Sequence, residues 1–380
     1  MISALDIETE FGLQQGLVYL NHAAVAPWPR RTAEAVKQFA VENFTLGAKN
    51  YKNWLAVETQ LRIQLQRLIN APSPADIALL KNTSEGLSFV AFGLPWRAGD
   101  NVVITDQEFP SNRIVWESLA RLGVQVRRAP LSANDPEESI VAAMDERTRL
   151  AAVSSVQYAT GLRLNLALLG QACRERNVLF CVDAIQSLGA LAFDVQQIQA
   201  DFVVADAHKW MLGPEGIALF YCRAELRTEL ALHEFGWHMV EDNNNYDRQD
   251  WTVAASARRF ECGSPNMLGI FALQASLSLL AEIDMSRVEQ AVLSNARYLM
   301  QAIDEHPLLT LVTSCDEGRF GGIVTFKWRD NTRPDTLFDY LSRNGIVCAM
   351  RGGGIRFSPH FYTAQNKLDR ALDVLSAFQK

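Results

Sequence analysis

The sequence predicts an α/β protein with a mostly parallel sheet and a smaller α+β unit at its carboxyl end. Between residues 77 and 221, short apolar runs alternate with helical stretches, the pattern of a doubly wound sheet. Several of these runs end abruptly in polar residues, as buried parallel strands do. The length of 380 residues favours two domains. We place them at 15–285 and 286–380, with residues 1–14 packing near the second.

Composition excludes several classes of function. The net charge of −7, without a Lys/Arg-rich run, argues against nucleic-acid binding. No apolar run approaches the length of a membrane span, and the amino terminus lacks the apolar core of a signal peptide, so we expect a cytoplasmic protein. The six cysteines form no CxxC pair, which favours reduced, buried thiols. His233 and His238 have no evident third ligand, so no metal site is expected.

The chain before the sheet is predicted to form a short strand and two helices, over 32–44 and 53–69. The strand runs into Asn21, His22 and two alanines ahead of Pro27. Small residues there would let a ligand approach the backbone closely. A plain strand-to-helix loop explains the segment equally well.

The first two sheet strands each lead into a candidate binding loop. Strand 77–80 runs into a polar turn with Thr83 and Ser84 at the start of a helix, where hydroxyls and free N–H groups can bind an anion. A simple helix cap is a compatible interpretation. Strand 101–105 precedes Phe109, an aromatic that could stack on a flat cofactor or pack in the core.

The next strands are predicted near 124–130 and 150–158, with helices over 136–144 and 166–177. The second strand ends in polar residues that include Ser155 and Gln157. These residues join the candidate ligand-binding edge because ligands of open α/β sheets lie beyond the carboxyl ends of the strands.

The most informative stretch runs from 179 to 221. One apolar run ends at Asp183, and the next ends at Asp206, followed by His208 and Lys209. A desolvated lysine beside other ionisable groups suits Schiff-base chemistry, and a neighbouring aspartate could keep a pyridinium nitrogen protonated. Pyridoxal phosphate is held by this kind of pair. Alternatively, the two residues are a solvated lysine and a helix-capping aspartate.

Beyond the sheet, the polar and aromatic segment 233–258 is long and irregular, which favours a functional loop. Helices are predicted over 270–283 and 288–303. The small unit should then hold strands near 308–314, 321–328, 345–350 and 354–359, and a helix over 368–378.

Asp183-Ala184-Ile185-Gln186 and Asp206-Ala207-His208-Lys209, at this separation, resemble paired elements of the class V aminotransferase family of fold-type I pyridoxal-phosphate enzymes. The family includes cysteine desulfurases, isopenicillin N epimerases and kynureninases. The resemblance covers nearly the whole chain. It implies a seven-stranded, mostly parallel sheet in the large domain, and a homodimer.

The resemblance also implies roles for individual residues. Lys209 would bind the cofactor, Asp183 would pair with the pyridine nitrogen, and Gln186 would bond the ring oxygen. The remaining cofactor contacts implied are Thr83, Ser84 and His208 at the phosphate, Phe109 over the ring, and Ser264 reaching the neighbouring subunit's site. The substrate contacts implied are Arg356 on the α-carboxylate, with Asn21, His22, Ala23, Ser155 and Gln157. The residues implied in catalysis are Lys209, Asp183 and His208.

The sequence departs from the family pattern at three points. Asp206 stands where a serine often binds the phosphate, and Ser155 stands where desulfurases have an asparagine. The loop that carries the catalytic cysteine of desulfurases is missing, and we expect Cys348 to be a core residue.

By resemblance, the protein would form an external aldimine with a small α-amino acid and abstract its Cα proton. The first expectation is a class V aminotransferase-like enzyme. The alternatives are a C–S or C–Se lyase without a persulfide cysteine, and an epimerase of the isopenicillin type. A PLP-fold binding protein that has lost catalysis is disfavoured by the presence of Lys209, Asp183 and Arg356. The substrate and the reaction outcome stay open.

Overall fold

The structure is a computed structural model, and it describes residues 7, 9–132, 135–329 and 334–378. Its central sheet has seven strands in the order β2-β8-β7-β6-β5-β3-β4. The strands are β2 Ile77–Leu80, β3 Asn101–Thr105, β4 Gln125–Ala129, β5 Thr148–Ser154, β6 Leu179–Asp183, β7 Phe202–Asp206 and β8 Ala218–Cys222. Only β8 runs against its neighbours, pairing antiparallel with both β2 and β7. The predicted mostly parallel seven-stranded sheet is confirmed.

Helices cover both faces of this sheet, which explains why its strands are apolar throughout rather than alternating. Val203 points into the layer that contains Leu65, whereas Val204, the next residue of β7, points into the layer that contains Leu87. The helices of the large unit are α1 Arg30–Leu46, α2 Tyr51–Leu68, α3 Thr83–Gly93, α4 Ser111–Glu117, α5 Pro136–Ala142, α6 Leu166–Glu175, α7 Val195–Ile198 and α8 Met267–Ile283.

A second, antiparallel sheet forms the core of the carboxyl-terminal unit, in the order β12-β13-β10-β9. Its strands are β9 Leu309–Leu311, β10 Val324–Trp328, β12 Ala349–Arg351 and β13 Gly354–Phe357, and its helices are α9 Met285–Asp304, α10 Pro334–Arg343 and α11 Gln365–Ser376. The amino-terminal strand β1, Val18–Tyr19, pairs with β11, Ile346–Val347. The start of the chain is thereby tied to the second unit.

The predicted boundary between residues 285 and 286 stays a prediction, although the two sheets lie on opposite sides of it. Of the residues 1–14 expected near the small unit, 1–6 and 8 lie outside the described residues. Phe11 stacks on Tyr362, as that expectation requires.

Within the described ranges, no helix taken singly has the length and apolarity needed to cross a membrane. Helices α8 and α9 meet these criteria only when they are treated as one segment. The two helices are bent by 85° at the break between them.

Candidate active site

The carboxyl ends of β6 and β7 open into a cavity of about 240 Å³. Asp183 ends β6, and Asp206, His208 and Lys209 follow from the end of β7, because parallel neighbours finish at the same edge of the sheet. Arg356, from β13 of the second unit, also lines this cavity. The cavity therefore lies where the large sheet meets the small one.

Lys209 and Asp183 are both buried in this cavity, so each is easier to neutralise than in water. Burial lowers the pKa of Lys209 to about 8, although Asp183 acts in the opposite direction. Burial raises the pKa of the Asp183 carboxyl above its ordinary value, although the Ile185 N–H, donating to Oδ1 at 3.1 Å, and Lys209 oppose this. A lysine with a lowered pKa keeps a neutral fraction near physiological pH, as a nucleophile or base requires.

One end of the cavity is suited to an anion. Thr83 lines it at the start of α3, where backbone N–H groups are unpaired within the helix. Gly86 allows α3 to lie this close, because a Cβ there would stand 2.7 Å from Cγ1 of Val204 in β7. Among the residues that the structure describes, the buried Nδ1 of His208 has no hydrogen-bond partner.

The other end carries two guanidinium groups. Arg356 is 2% exposed; its Nη1 donates to the Tyr158 carbonyl at 2.6 Å, and its Nε has no hydrogen-bond partner within the described part of the chain. Burial and then Arg351 lower the pKa of Arg356 to about 10. Within the described residues, neither arginine forms an ion pair with a carboxylate. Arg351 is exposed, but Arg356 is a buried cation without an anion, which is costly, so its side of the cavity is suited to a ligand carboxylate.

Gln186 and Phe109 flank the lysine. Gln186 accepts the Trp210 indole N–H at 2.8 Å and donates one amide N–H to the Ala23 carbonyl at 3.1 Å, which leaves its second N–H free for a ligand. The ring centroid of Phe109 lies 5.6 Å from the Lys209 Nζ. Ala23 itself lines the cavity, and its contact with a substrate stays a prediction.

Other predicted site residues do not line the cavity. His22 is fully buried; its Nδ1 donates to the Ser358 carbonyl and its Nε2 accepts from the Tyr362 hydroxyl, so its ring has no capacity left for a substrate. Asn21 approaches the cavity through Arg356, whose Nη2 lies 3.5 Å from the Asn21 Oδ1.

Ser155 and Gln157 follow the end of β5 at Ser154 and are engaged elsewhere. Ser155 bonds Ser187 at 2.6 Å and lines a separate hollow of about 500 Å³. The side-chain oxygen of Gln157 accepts hydrogen bonds within its own loop, from the backbone N–H groups of Ala159 and Thr160. In this chain neither side chain reaches the cavity.

Ser84 and Ser264 also lie outside. The Ser84 hydroxyl donates to Ser111, which does line the cavity, but Ser84 itself faces a shallow depression beside Lys81. Ser264 lies in a further depression with Glu261. Its predicted contact with a neighbouring subunit's site stays a prediction.

Sequence reasoning missed Arg351. The residue lines the cavity from β12, five positions before Arg356, and the two strands pair through the tight turn at Gly352-Gly353. Two arginines flanking a glycine-rich hairpin turn were the available signal. Cys348, by contrast, is buried as predicted, and burial raises the pKa of its thiol to about 12.

A second cluster of ionisable groups holds the segment 233–258. Glu58, His238 and Glu261 are buried with their side-chain ligand atoms within 4.8 Å of one another. Arg62 already donates to both oxygens of Glu261, at 2.6 and 2.7 Å, and to Glu58 at 2.5 Å. The cluster is therefore best explained as an ion-pair network rather than as a metal site.

The cavity residues fit pyridoxal phosphate. A buried acid, a lysine of lowered pKa and a free amide N–H match the needs of a pyridine nitrogen, an aldehyde and a phenolic oxygen. The unpartnered His208 Nδ1 and the start of α3 supply donors for a phosphate. These role assignments stay predictions.

Comparison with known proteins agrees with this fit. The family model described as aminotransferase class-V matches residues 18–370. A probable cysteine desulfurase of Methanothermobacter thermautotrophicus is 29% identical, over 96% of this chain and 95% of its own.

Solved structures show the same fold at lower identity. A C-DES mutant with glycine covalently linked to its PLP cofactor superposes with a TM-score of 0.91 at 23% identity, over 98% of this chain and 100% of its own. A complex of the cystine C–S lyase C-DES with its product cysteine persulfide gives 0.89 at 23%, over 96% and 99%.

Proposed function

Because this chain belongs to the class-V aminotransferase family, whose cofactor is pyridoxal phosphate, we propose that it is a lyase that breaks the C–S bond of a sulfur-containing amino acid. The names of the relatives support the lyase alternative better than the aminotransferase expectation, which is unconfirmed. The predicted family, fold type and cofactor are confirmed.

When bound, pyridoxal phosphate withdraws electrons from the Cα of an attached amino acid. Asp183 would hold the pyridine nitrogen, and Gln186 the ring oxygen. Lys209, once released, is a base of lowered pKa that can accept the Cα proton and later return it. Arg356 would hold the substrate α-carboxylate in a bidentate pair, which orients the Cα–H bond.

The proposal rests most on one observation: no cysteine among the described residues lines the cavity. Release of alanine from cysteine would require a nucleophilic thiol to take up a neutral sulfur atom. Cys348 does not meet that need, since its thiol is buried and its pKa is raised to about 12. Without an acceptor, the sulfur leaves with the bonding electron pair, and the remaining three-carbon unit hydrolyses to pyruvate and ammonia.

Arg351 favours a substrate with a second carboxylate. Its Nη1 bonds only the neighbouring Met350 carbonyl among the described residues, and it lines the same cavity as Arg356. A disulfide amino acid such as cystine carries two carboxylates. Its cleavage balances without any added reductant: cystine and water give cysteine persulfide, pyruvate and ammonia.

The experiment is to incubate the cofactor-loaded protein with L-cystine or L-cysteine and to measure pyruvate, ammonia, alanine and keto-acid-dependent transfer. We expect equal amounts of pyruvate and ammonia, no alanine, and no activity in Lys209→Ala. Alanine formation that disappears in Cys348→Ala would contradict the proposal. Product formation that requires a second keto acid, without free ammonia, would favour the aminotransferase.

We also propose that the protein is a homodimer. Four aromatic residues of the 233–258 segment, each more than a third exposed, line one groove: Phe235, Trp237, Tyr246 and Trp251. This segment is joined to the one carrying Ser264, since the His238 N–H donates to the Cys262 carbonyl at 3.3 Å. A second copy would cover the groove. Sedimentation equilibrium tests this, and a monomer at micromolar concentration would contradict it.

A further inference from the structure

Asp206 places a carboxylate at the anion-binding end of the cavity. Its own N–H donates to the Thr83 hydroxyl oxygen at 3.1 Å, so the end of β7 is tied to the start of α3. The backbone N–H and hydroxyl of Thr83 in turn stabilise the ionised carboxylate. The carboxylate oxygen Oδ1 of Asp206 is buried and has no hydrogen-bond partner among the described residues.

A phosphate bound in this cavity would need the hydrogen-bond donors that stabilise the Asp206 carboxylate. In the first turn of α3 the Glu85 N–H is already taken by the Asn82 side chain, at 2.9 Å. Among the described residues, Ser111 also lines the cavity, and the donors that lie close to Asp206 are Thr83 and the Nδ1 of His208, which has no hydrogen-bond partner. Asp206 lies between them, with Oδ2 3.9 Å from that Nδ1. An ionised carboxylate here would repel a phosphate and compete for its hydrogen bonds.

The charges around Asp206 do not remove this conflict. Lys209 attracts the carboxylate, whereas Glu215 and the buried Asp183 repel it. Burial, and then Lys209, lower the pKa of His208 to about 4, so that its ring is neutral and offers no compensating cation. Burial is also the largest effect on Asp206 itself and raises its pKa to about 6, although Thr83 and Lys209 oppose this.

We propose that Asp206 is protonated when the cofactor is bound and donates this proton in a hydrogen bond to a phosphate oxygen. This inference rests on the cofactor site proposed above. A protonated carboxyl satisfies the orphaned oxygen and turns a repulsive neighbour into a donor. Binding then takes up one proton, so affinity for the phosphorylated cofactor falls as the pH rises above the pKa of free Asp206.

The test compares pyridoxal phosphate with pyridoxal, which lacks only the phosphate. Their dissociation constants for cofactor-free protein are measured by tryptophan fluorescence between about pH 6 and about pH 8. The ratio of the two constants cancels the titration of Lys209 and Asp183. The Asp206→Asn variant keeps the shape of the side chain and can donate an N–H at every pH. The ionisation of the phosphate itself contributes equally to the pH dependence of both proteins.

For the wild type, we expect the advantage of the phosphorylated cofactor over pyridoxal to fall by about tenfold for each pH unit. In Asp206→Asn this fall should be absent. Only the pH dependence that arises from ionisation of the phosphate itself, which both proteins share, should remain. Near pH 8 the variant should bind pyridoxal phosphate at least about tenfold tighter than the wild type, with unchanged affinity for pyridoxal.

Equal pH dependence in the two proteins, or weaker binding of pyridoxal phosphate by the variant, would overturn the inference. If circular dichroism shows that the variant does not fold, a wild-type ratio that stays constant with pH overturns it equally well. Wild-type protein that binds neither cofactor, and in which borohydride traps no lysine adduct, would overturn the proposed function together with this inference.

Discussion

Replacing Arg356 with methionine should stabilise the cofactor-free protein while weakening its binding of amino acids. Burial, with Arg351, lowers the pKa of Arg356 from its ordinary value of 12.5 to about 10. At about 1.4 kcal/mol for each pH unit, the folded protein pays about 3 kcal/mol to keep this charge. Because the pKa is lower in the folded state than in the unfolded state, this cost is fully present at neutral pH and declines only above about pH 10.

Methionine removes that cost and keeps part of the buried aliphatic stem. It loses the hydrogen bond from Nη1 to the Tyr158 carbonyl, worth about 1 kcal/mol. We therefore expect the free energy of unfolding to rise by about 1–3 kcal/mol, as measured by urea denaturation. Loss of the pair with a ligand carboxylate should cost about 2–5 kcal/mol of binding free energy, or about 30-fold to several thousand-fold in Kd.

The binding assay is a spectral titration of cofactor-loaded protein with L-alanine and ethylamine, which differ only in the carboxylate. The variant should lose affinity for alanine and keep its affinity for ethylamine. Arg113→Met is the matched control, since it breaks an exposed pair with Glu117 and should change stability by less than about 1 kcal/mol. A variant less stable than the wild type, or equal losses for the two amines, would refute the reasoning.

Three further predictions follow from the same contacts. The rate of cofactor rebinding should rise with pH through a midpoint near 8, because only neutral Lys209 attacks the aldehyde; stopped-flow absorbance checks this, and a flat profile would contradict it. Arg62→Met should lower the free energy of unfolding by about 3–5 kcal/mol, because Glu58 and Glu261 lose their buried counter-ion; urea denaturation checks this, and an unchanged value would contradict it. Arg351→Met should raise KM for cystine more than for cysteine, whereas equal changes in the two KM values would exclude its role in binding a second carboxylate.

Local pattern was enough to predict the sheet and the edge at which the cavity lies. An apolar run that stops at a polar cluster marks both a buried strand and its carboxyl end, and parallel strands bring such ends together. Asp183 and Lys209 could therefore be paired from sequence, although 26 positions separate them. The burial of Cys348 was predictable for a similar reason, since it lies in an apolar run.

Several of the predicted site residues have side chains that are committed to distant partners. His22 has a suitable position and chemistry for a substrate contact, but Ser358 and Tyr362, more than 330 positions away, occupy both ring nitrogens. Ser155 lies one residue past the end of β5 and bonds Ser187 instead of facing the cavity. No local signal distinguishes a free polar side chain from an engaged one.

The amino-acid order of this chain sets the strand ends and the positions of Asp183 and Lys209 at them, because apolar periodicity and abrupt polarity are properties of contiguous residues. Tertiary structure alone assembles the rest of the cavity. Arg351 and Arg356 reach it only through the small sheet, and Asp206 meets Thr83 only because Gly86 lets α3 approach β7. Such contacts depend on packing between segments far apart in the chain, and they determine the charge that a ligand meets.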